Sequence, residues 1–201
     1  DIGMMEFAAD SGIETHVLIR NRSGDFCMTQ TDITVAVANI KAVKSVGLKG
    51  VVIGAERNGA LDRRAIEAMI NAANGLDVTI HRVVDVVDDP DAALDLAIAL
   101  GAVRILTSGA AKSAPDGTAT LTRLHTRAAG RIEIMAGAGI NSSNISAITD
   151  QTDISAYHSS CSAKIPLTQR HAAFGLGENM RCFDPQEATN IVTHLRTTGV
   201  K

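Results

Sequence analysis

Six short apolar segments, each ending in polar or glycine-rich residues and followed by a predicted helix, constrain the fold of this chain most. They end at residues 18–22, 51–55, 79–83, 105–109, 134–138 and 155–159. Strands separated by one helix pair in parallel through right-handed crossovers, so the carboxyl ends of all six strands meet at one edge. The repeat predicts an α/β fold with its functional residues gathered at that edge.

Two architectures use such repeats, the doubly wound sheet and the barrel. The nearest match to a dinucleotide fingerprint, at 137–142, lacks the third glycine and follows the fifth strand, which disfavours a Rossmann fold. Barrels of the TIM type have eight strands and roughly 250 residues. Because only six strands can be found, we predict a TIM-like (β/α) barrel formed by a single domain over 1–201 and lacking strand 1, helix 1 and strand 2.

The pattern also predicts several local features. A helix over 4–10 ends at Gly12, and Thr31 or Asp32 caps the helix that follows the first strand. Asn141 or Ser142 opens a short helix. A mostly irregular segment over 161–183 precedes the last helix, at 185–196, and segments of that length are usually functional or mobile.

Composition excludes several classes of function. A net charge of −3, a pI near 6.1 and 2% aromatic residues offer no footprint for nucleic acid. No apolar run reaches the ~20 residues that span a bilayer, and no signal peptide is present, so we expect a cytoplasmic protein. Three cysteines without close spacing argue against disulfides and structural zinc. No lysine falls in a predicted strand, which disfavours a Schiff-base aldolase of the barrel class.

The loop after the first strand carries candidate anion ligands. Alternation along the strand places Arg20 on the face opposite Val17 and Ile19, toward the lumen or rim of the barrel. Arg22 and Asp25 follow in the loop, and two guanidinium groups suit binding of a carboxylate or phosphate. The alternative is a salt bridge between Arg20 and Asp25 that only holds the loop.

The third strand ends in a candidate acid or base. His81 shares the less apolar strand face with Thr79, so we expect it to point inward, where imidazole could transfer protons or bind a metal. Asp85 could orient His81 or pair with Arg82. The alternative is a hydrogen-bonded histidine of the core.

Small residues follow the next two strands. Ser108, Gly109, Gly137 and Gly139 offer backbone N–H groups near helix starts, where anions are favoured. The glycines could equally serve only tight turns.

The last strand ends in a cluster of polar and soft donors. His158, Ser159 and Cys161 lie together there, and imidazole with thiolate suits Cu(I) or Zn(II). Two donors make only half a site, and a buried structural cysteine is the alternative.

Together, the motifs at 18–26, 81–85, 104–109, 134–140 and 158–160 resemble the CutC family, named for copper homeostasis. The resemblance extends over nearly the whole chain and implies a cytosolic, often dimeric TIM-like barrel with a polar pocket at the strand ends. The family's first motif usually has Pro and Gly where this chain has Asn21 and Ser23, which predicts a less rigid loop. Family cysteines proposed to bind copper have no counterpart here.

Three interpretations follow. The first is a copper-homeostasis protein that binds Cu(I) through Cys27 with Met28, or through His158 with Cys161. The second is an enzyme, or the remnant of one, that acts on a small anionic metabolite clamped by Arg20 and Arg22. The third is a truncated copy whose exposed sheet edges pair with another chain, and we expect a homodimer in any case.

Overall fold

The computed structural model describes residues 1–199, which form an α/β fold built on one six-stranded parallel sheet. Its strands are β1 (His16–Leu18), β2 (Gly50–Ile53), β5 (Asp77–Ile80), β6 (Arg104–Thr107), β7 (Glu133–Gly137) and β8 (Ala156–His158). They lie side by side in chain order, so β1 and β8 form the two edges. The six predicted strands and their parallel order are confirmed.

Helices connect and cover the strands. They are α1 (Ile2–Asp10), α2 (Gln30–Ser45), α3 (Arg63–Ala72), α4 (Pro90–Ala99), α5 (Thr118–Ala128), α6 (Ile145–Gln151), α7 (Gln169–Ala173) and α8 (Pro185–Thr197). Two short 3₁₀ turns, Arg82–Asp85 and Ala114–Gly117, follow β5 and β6. None of the helices in the described residues is long and apolar enough to cross a membrane.

The helical face of the sheet holds the core. Strand residues on that face are almost entirely buried, as shown by Val51, Ile53, Ile80, Ile105 and Ile134. The β-branched side chains suit strands that are packed under helices on this side. The alternate strand residues point to the opposite face, which carries the site described below.

Two helix starts differ from the prediction. Thr29, and not Thr31 or Asp32, is the N-cap of α2, where its hydroxyl and the Asp32 carboxylate form a reciprocal capping box. The short helix α6 begins at Ile145 after an Asn144 N-cap. Asn141 and Ser142, the predicted helix starts, lie instead in the preceding loop, where Asn141 Oδ1 accepts from the Ser143 backbone N–H.

The segment predicted as irregular is a hairpin arm. Strands β9 (Ser162–Pro166) and β10 (Asn179–Phe183) pair antiparallel, with α7 between them. A second, two-stranded ribbon joins β3 (Glu56–Arg57) to β4 (Ala60–Leu61). Lys164 therefore lies in a strand, contrary to the sequence prediction, but that strand is outside the parallel sheet.

Candidate functional site

A concave pocket of about 410 Å³ lies on the face of the sheet opposite the helices. Every strand of the parallel sheet contributes to it, from His16 and Leu18 on β1 to His158 on β8. A single pocket can be lined by all six strands only if the sheet is curled around it. The site therefore occupies the place that the lumen takes in a barrel.

Polar groups cluster at the carboxyl ends of the strands that line the pocket. Arg20, His81, Arg82 and His158 all line it, so four of the predicted site residues come together. Strand alternation brings Arg20 and His81 to this face, because Ile19 and Ile80 point into the core. Phe26 from the following loop joins them, with its ring centroid 4.8 Å from both the Arg20 guanidinium carbon and the His81 ring.

The two arginines of the first loop have different roles. Arg22 Nη2 donates to Asp25 Oδ1 at 2.6 Å and to the Cys27 carbonyl, and its Nε lies 3.7 Å from Asp32. The predicted alternative of an Arg20–Asp25 salt bridge is wrong, because Asp25 pairs with Arg22. Arg20 donates to the Gly24 carbonyl at 2.6 Å and has no carboxylate within 4 Å in the described residues.

His81 is 5% exposed and lies at the turn after β5. Its Nδ1 accepts from the Val83 backbone N–H at 3.1 Å, so the neutral ring carries its proton on Nε2. Burial, together with the positive charge of Arg20, lowers the pKa of His81 to about 4. At neutral pH His81 is thus a neutral hydrogen-bond donor and a weak base.

The depressed pKa of His81 predicts a loss of stability on acidification. The unfolded chain takes up this proton near pH 6.5 and the folded chain only near pH 4, so the unfolded state binds more protons between these values. We expect the free energy of unfolding to fall by about 3 kcal/mol from this group as the pH decreases across that window. Urea titrations at several pH values measure this slope.

The variant His81→Gln removes the titrating group and should flatten the pH dependence by that amount relative to wild type. His171→Gln, which changes an exposed histidine, is the control and should retain the wild-type slope. Identical slopes for wild type and His81→Gln would show that the pKa of His81 is the same in the folded and unfolded states, so that folding does not lower it.

Asp85 forms no hydrogen bond with His81 within residues 1–199 and instead joins Arg82 to the loop after β6. Its carboxylate accepts from Arg82 Nε at 2.7 Å, and from the Thr107 hydroxyl at 2.5 Å. It also accepts from the backbone N–H groups of Ser108 and Ala110. Of the two roles predicted for Asp85, the hydrogen bonds agree with pairing to Arg82.

Ser108 and Gly109 form a tight loop beside this carboxylate. The Ser108 hydroxyl accepts from Arg82 Nη2 at 3.0 Å, while the Ser108 backbone N–H is directed to Asp85. The Gly109 N–H donates to Thr107 Oγ1. The Ser108 and Gly109 N–H groups are therefore engaged within the protein and do not form the predicted anion cradle.

The glycines and serine at the ends of β7 and β8 serve packing and turns. A Cβ on Gly137 would lie 2.5 Å from Leu106 Cδ1, so this glycine leaves room for the Leu106 side chain of the neighbouring strand. The Gly139 carbonyl accepts from the Asn144 side chain. Ser159 Oγ donates to the Ile140 carbonyl and accepts from the Cys161 N–H, which fixes the loop after β8.

Of the two predicted pairs of soft-metal donors, Cys27 and Met28 line one small pocket together, whereas His158 and Cys161 do not converge. Cys161 lines a separate pocket with Ser159, whereas His158 lines the concave one. The Cys27 thiol donates to Glu56 Oε1 at 2.7 Å, and this hydrogen bond raises the pKa of the thiol, which disfavours the thiolate that binds copper. No group of three or more His, Cys, Asp or Glu side chains suited to a metal occurs within residues 1–199. The donors present do not fit a copper site.

The sequence analysis proposed no site role for three polar residues of the pocket. His16, Thr79 and Arg104 line it, and the Arg104 guanidinium is ion-paired with Glu133 on the neighbouring strand. His16 and Thr79 have the same strand parity as Arg20 and His81. This period-two signal could have identified both of them.

Comparison with known proteins decides the family. The family model described as CutC matches residues 1–163. The chain belongs to the CutC family. A CutC family protein from Agrobacterium fabrum is 46% identical over 166 residues, covering 82% of this chain and 66% of the relative. A CutC family protein from Caulobacter vibrioides is 42% identical over 174 residues, covering 86% of this chain and 71% of the relative.

Solved structures agree with the CutC assignment. The chain resembles the crystal structure assigned as copper homeostasis protein CutC from Streptococcus agalactiae, with a TM-score of 0.75, 27% identity and coverage of 79% of this chain and 80% of that one. An aldolase structure, QR15, has a TM-score of 0.58 at 12% identity, covering 78% of this chain and 73% of that one. The aldolase likeness shows the fold alone. The match to the CutC family ends before most of the hairpin arm.

Proposed function

We propose that the concave pocket of this CutC family chain binds a small organic anion. The observation that carries the proposal is Arg20, a guanidinium at the pocket that has no carboxylate within 4 Å in the described residues. Such a charge, held beside the face of Phe26, is available to an anionic ligand.

Further donors support the same interpretation. Arg82 is held by Asp85 and Ser108 through Nε and Nη2, which leaves its Nη1 free of intramolecular hydrogen bonds within the described chain. The Nε2–H of neutral His81 is a third donor on this pocket. These donors stabilise a carboxylate or phosphate without a metal ion.

A reaction at this pocket would rely on His158 for proton transfer. His158 lines the pocket and is exposed at the edge strand, whereas His81 is buried and a weak base. The interpretation as an enzyme, or the remnant of one, thus assigns anion binding to Arg20 and Arg82 and proton transfer to His158. Asp85 then acts as a positioning residue for Arg82.

A direct copper(I) site at the predicted cysteines is not part of this proposal. The Cys27 thiol is engaged by Glu56, and Cys161 and His158 line different pockets. Cys27, Cys161 and His158 therefore do not form a copper ligand set that would explain the family's connection to copper homeostasis.

We also infer that the sheet corresponds to six of the eight strands of a TIM-type barrel. The parallel strands follow chain order, and their concave face includes Leu18, which is 58% exposed. Apolar residues on the inner face of a closed barrel are packed, so this exposure supports an open barrel.

Binding of inorganic phosphate and malonate to the full chain tests the anion site. In thermal-shift titrations, both anions should raise the melting temperature of the wild type. Arg20→Gln should weaken both affinities at least tenfold, because hydrogen bonds to charged groups contribute about 1.5–3 kcal/mol.

Arg63→Gln is the matched control, since Arg63 lies on α3 and pairs with Glu67 at 2.9 Å. This variant should keep the wild-type affinities. If Arg20→Gln and Arg63→Gln bind phosphate and malonate equally, the anion site is not at Arg20.

A further inference from the structure

The floor of the concave pocket holds polar atoms that lack partners. Thr79 is 3% exposed, and its hydroxyl has no hydrogen-bond partner in residues 1–199. Both ring nitrogens of His16 are likewise buried without such a partner, and Nε2 lies 3.6 Å from Glu14, beyond hydrogen-bond range. Leaving buried polar atoms unpaired is costly, so most of them are paired in folded proteins.

The apolar wall of the pocket beside this floor is formed by Leu18, Val52, Leu106 and Met135. In the strand register Leu18 and Val52 lie level with Thr79. Leu18 is 58% exposed despite its apolar side chain. A ligand that covers this wall gains affinity from the apolar surface that it removes from water.

The spacing between the floor and the polar end follows from strand geometry. Thr79 pairs with Val52, and the His81 N–H donates to the Ile53 carbonyl, so Thr79 lies two residues below His81 along the sheet. At ~3.3 Å per residue this separation is about 7 Å, and the four residues from His16 to Arg20 span about 13 Å.

We propose that the ligand of this pocket is an amphipathic carboxylate with a hydrogen-bonding group at its far end. The carboxylate binds Arg20, an apolar body lies on the wall, and the terminal group pairs with Thr79 and His16. An extended chain advances roughly 1.2 Å per bond, so roughly six carbon atoms cover the separation of roughly 7 Å between the levels of Thr79 and His81. This inference rests on the proposed anion site and specifies the chemistry of its ligand.

Four probe compounds separate the parts of this proposal on the full chain: acetate, hexanoate, 6-hydroxyhexanoate and hexan-1-ol. Ligand-observed NMR titrations should show hexanoate binding at least tenfold more tightly than acetate, because its methylene groups are removed from water. 6-Hydroxyhexanoate should bind about fivefold more tightly than hexanoate, because its hydroxyl pairs with Thr79. Hexan-1-ol should bind at least tenfold more weakly than 6-hydroxyhexanoate.

Variants assign each end of the ligand. Thr79→Val keeps the side-chain volume, so it should abolish the fivefold preference for the hydroxyl and leave hexanoate affinity unchanged. Circular dichroism checks the fold of this variant, and His16→Leu serves as a second variant of the floor. Arg20→Gln should weaken all three carboxylates.

The outcomes distinguish this inference from the function on which it rests. If acetate binds as tightly as 6-hydroxyhexanoate while Arg20→Gln weakens both, the amphipathic ligand is wrong and the anion site stands. If the hydroxyl preference persists in Thr79→Val and His16→Leu, the assignment of the floor is wrong. If none of the carboxylates binds, if Arg20→Gln has no effect, or if hexan-1-ol matches hexanoate, the anion site itself is overturned.

Discussion

Gly109→Ala should lower the free energy of unfolding by about 4 kcal/mol. Gly109 has φ +76°, where an L-residue costs about 1–2 kcal/mol. An added Cβ would also lie 2.3 Å from the Gly117 carbonyl oxygen, in the 3₁₀ turn before α5. Because the obstacle is backbone, the loop after β6 and that turn must separate to accommodate it.

Gly101→Ala is the matched control for backbone conformation. Gly101 has φ +82°, but nothing lies within 4 Å of its added Cβ. We expect Gly101→Ala to lower the free energy of unfolding by about 1 kcal/mol. Urea denaturation of the two variants therefore separates the cost of the steric clash from the cost of the positive φ angle. If the two variants lose equal free energy of unfolding, the loop at Gly109 moves away from the added Cβ without an energetic cost.

The parallel sheet could be predicted because its strands are buried on the helical face. Runs such as Val51–Ile53 read as continuous β-branched segments, and the helices between them keep an apolar period. The same alternation placed Arg20 and His81 on the concave face. The position of the pocket could therefore be predicted from strand parity, together with the rule that the carboxyl ends of parallel strands meet at one edge.

The hairpin arm could not be predicted for the opposite reason. Ser162–Pro166 and Asn179–Phe183 are largely exposed, so neither strand has a buried face that imposes an alternating pattern. Their pairing depends on backbone hydrogen bonds between two segments that are separated by residues 167–178. The hydrophobic pattern of the sequence does not predict such a pairing.

The partners in ion pairs could also not be predicted from the sequence. Arg20 and Arg22 lie five and three residues before Asp25, so both can reach it in a flexible loop, and the sequence does not show which guanidinium does so. The loop conformation turns Arg22 toward Asp25 and Asp32, and turns Arg20 toward Phe26. This choice determines which arginine remains available to a ligand.

The second large effect is expected at Asp85. Its side chain is 4% exposed and accepts hydrogen bonds from Arg82, Thr107, Ser108 and Ala110. Asp85→Ala should lower the free energy of unfolding by about 4 kcal/mol, because removing one partner leaves a guanidinium and several buried donors unsatisfied. Urea denaturation measures the loss.

Asp95→Ala provides the comparison. Asp95 forms an exposed ion pair with Arg127 at 2.5 Å, so its removal should cost far less stability than the removal of Asp85. Asp85→Ala should also weaken phosphate binding, since Arg82 loses the carboxylate that orients it, whereas Asp95→Ala should leave binding unchanged. If the two variants lose equal stability, the loop after β6 does not depend on Asp85. If Asp85→Ala is destabilised but binds phosphate normally, the carboxylate supports only the fold, and Arg82 contributes nothing to the anion site.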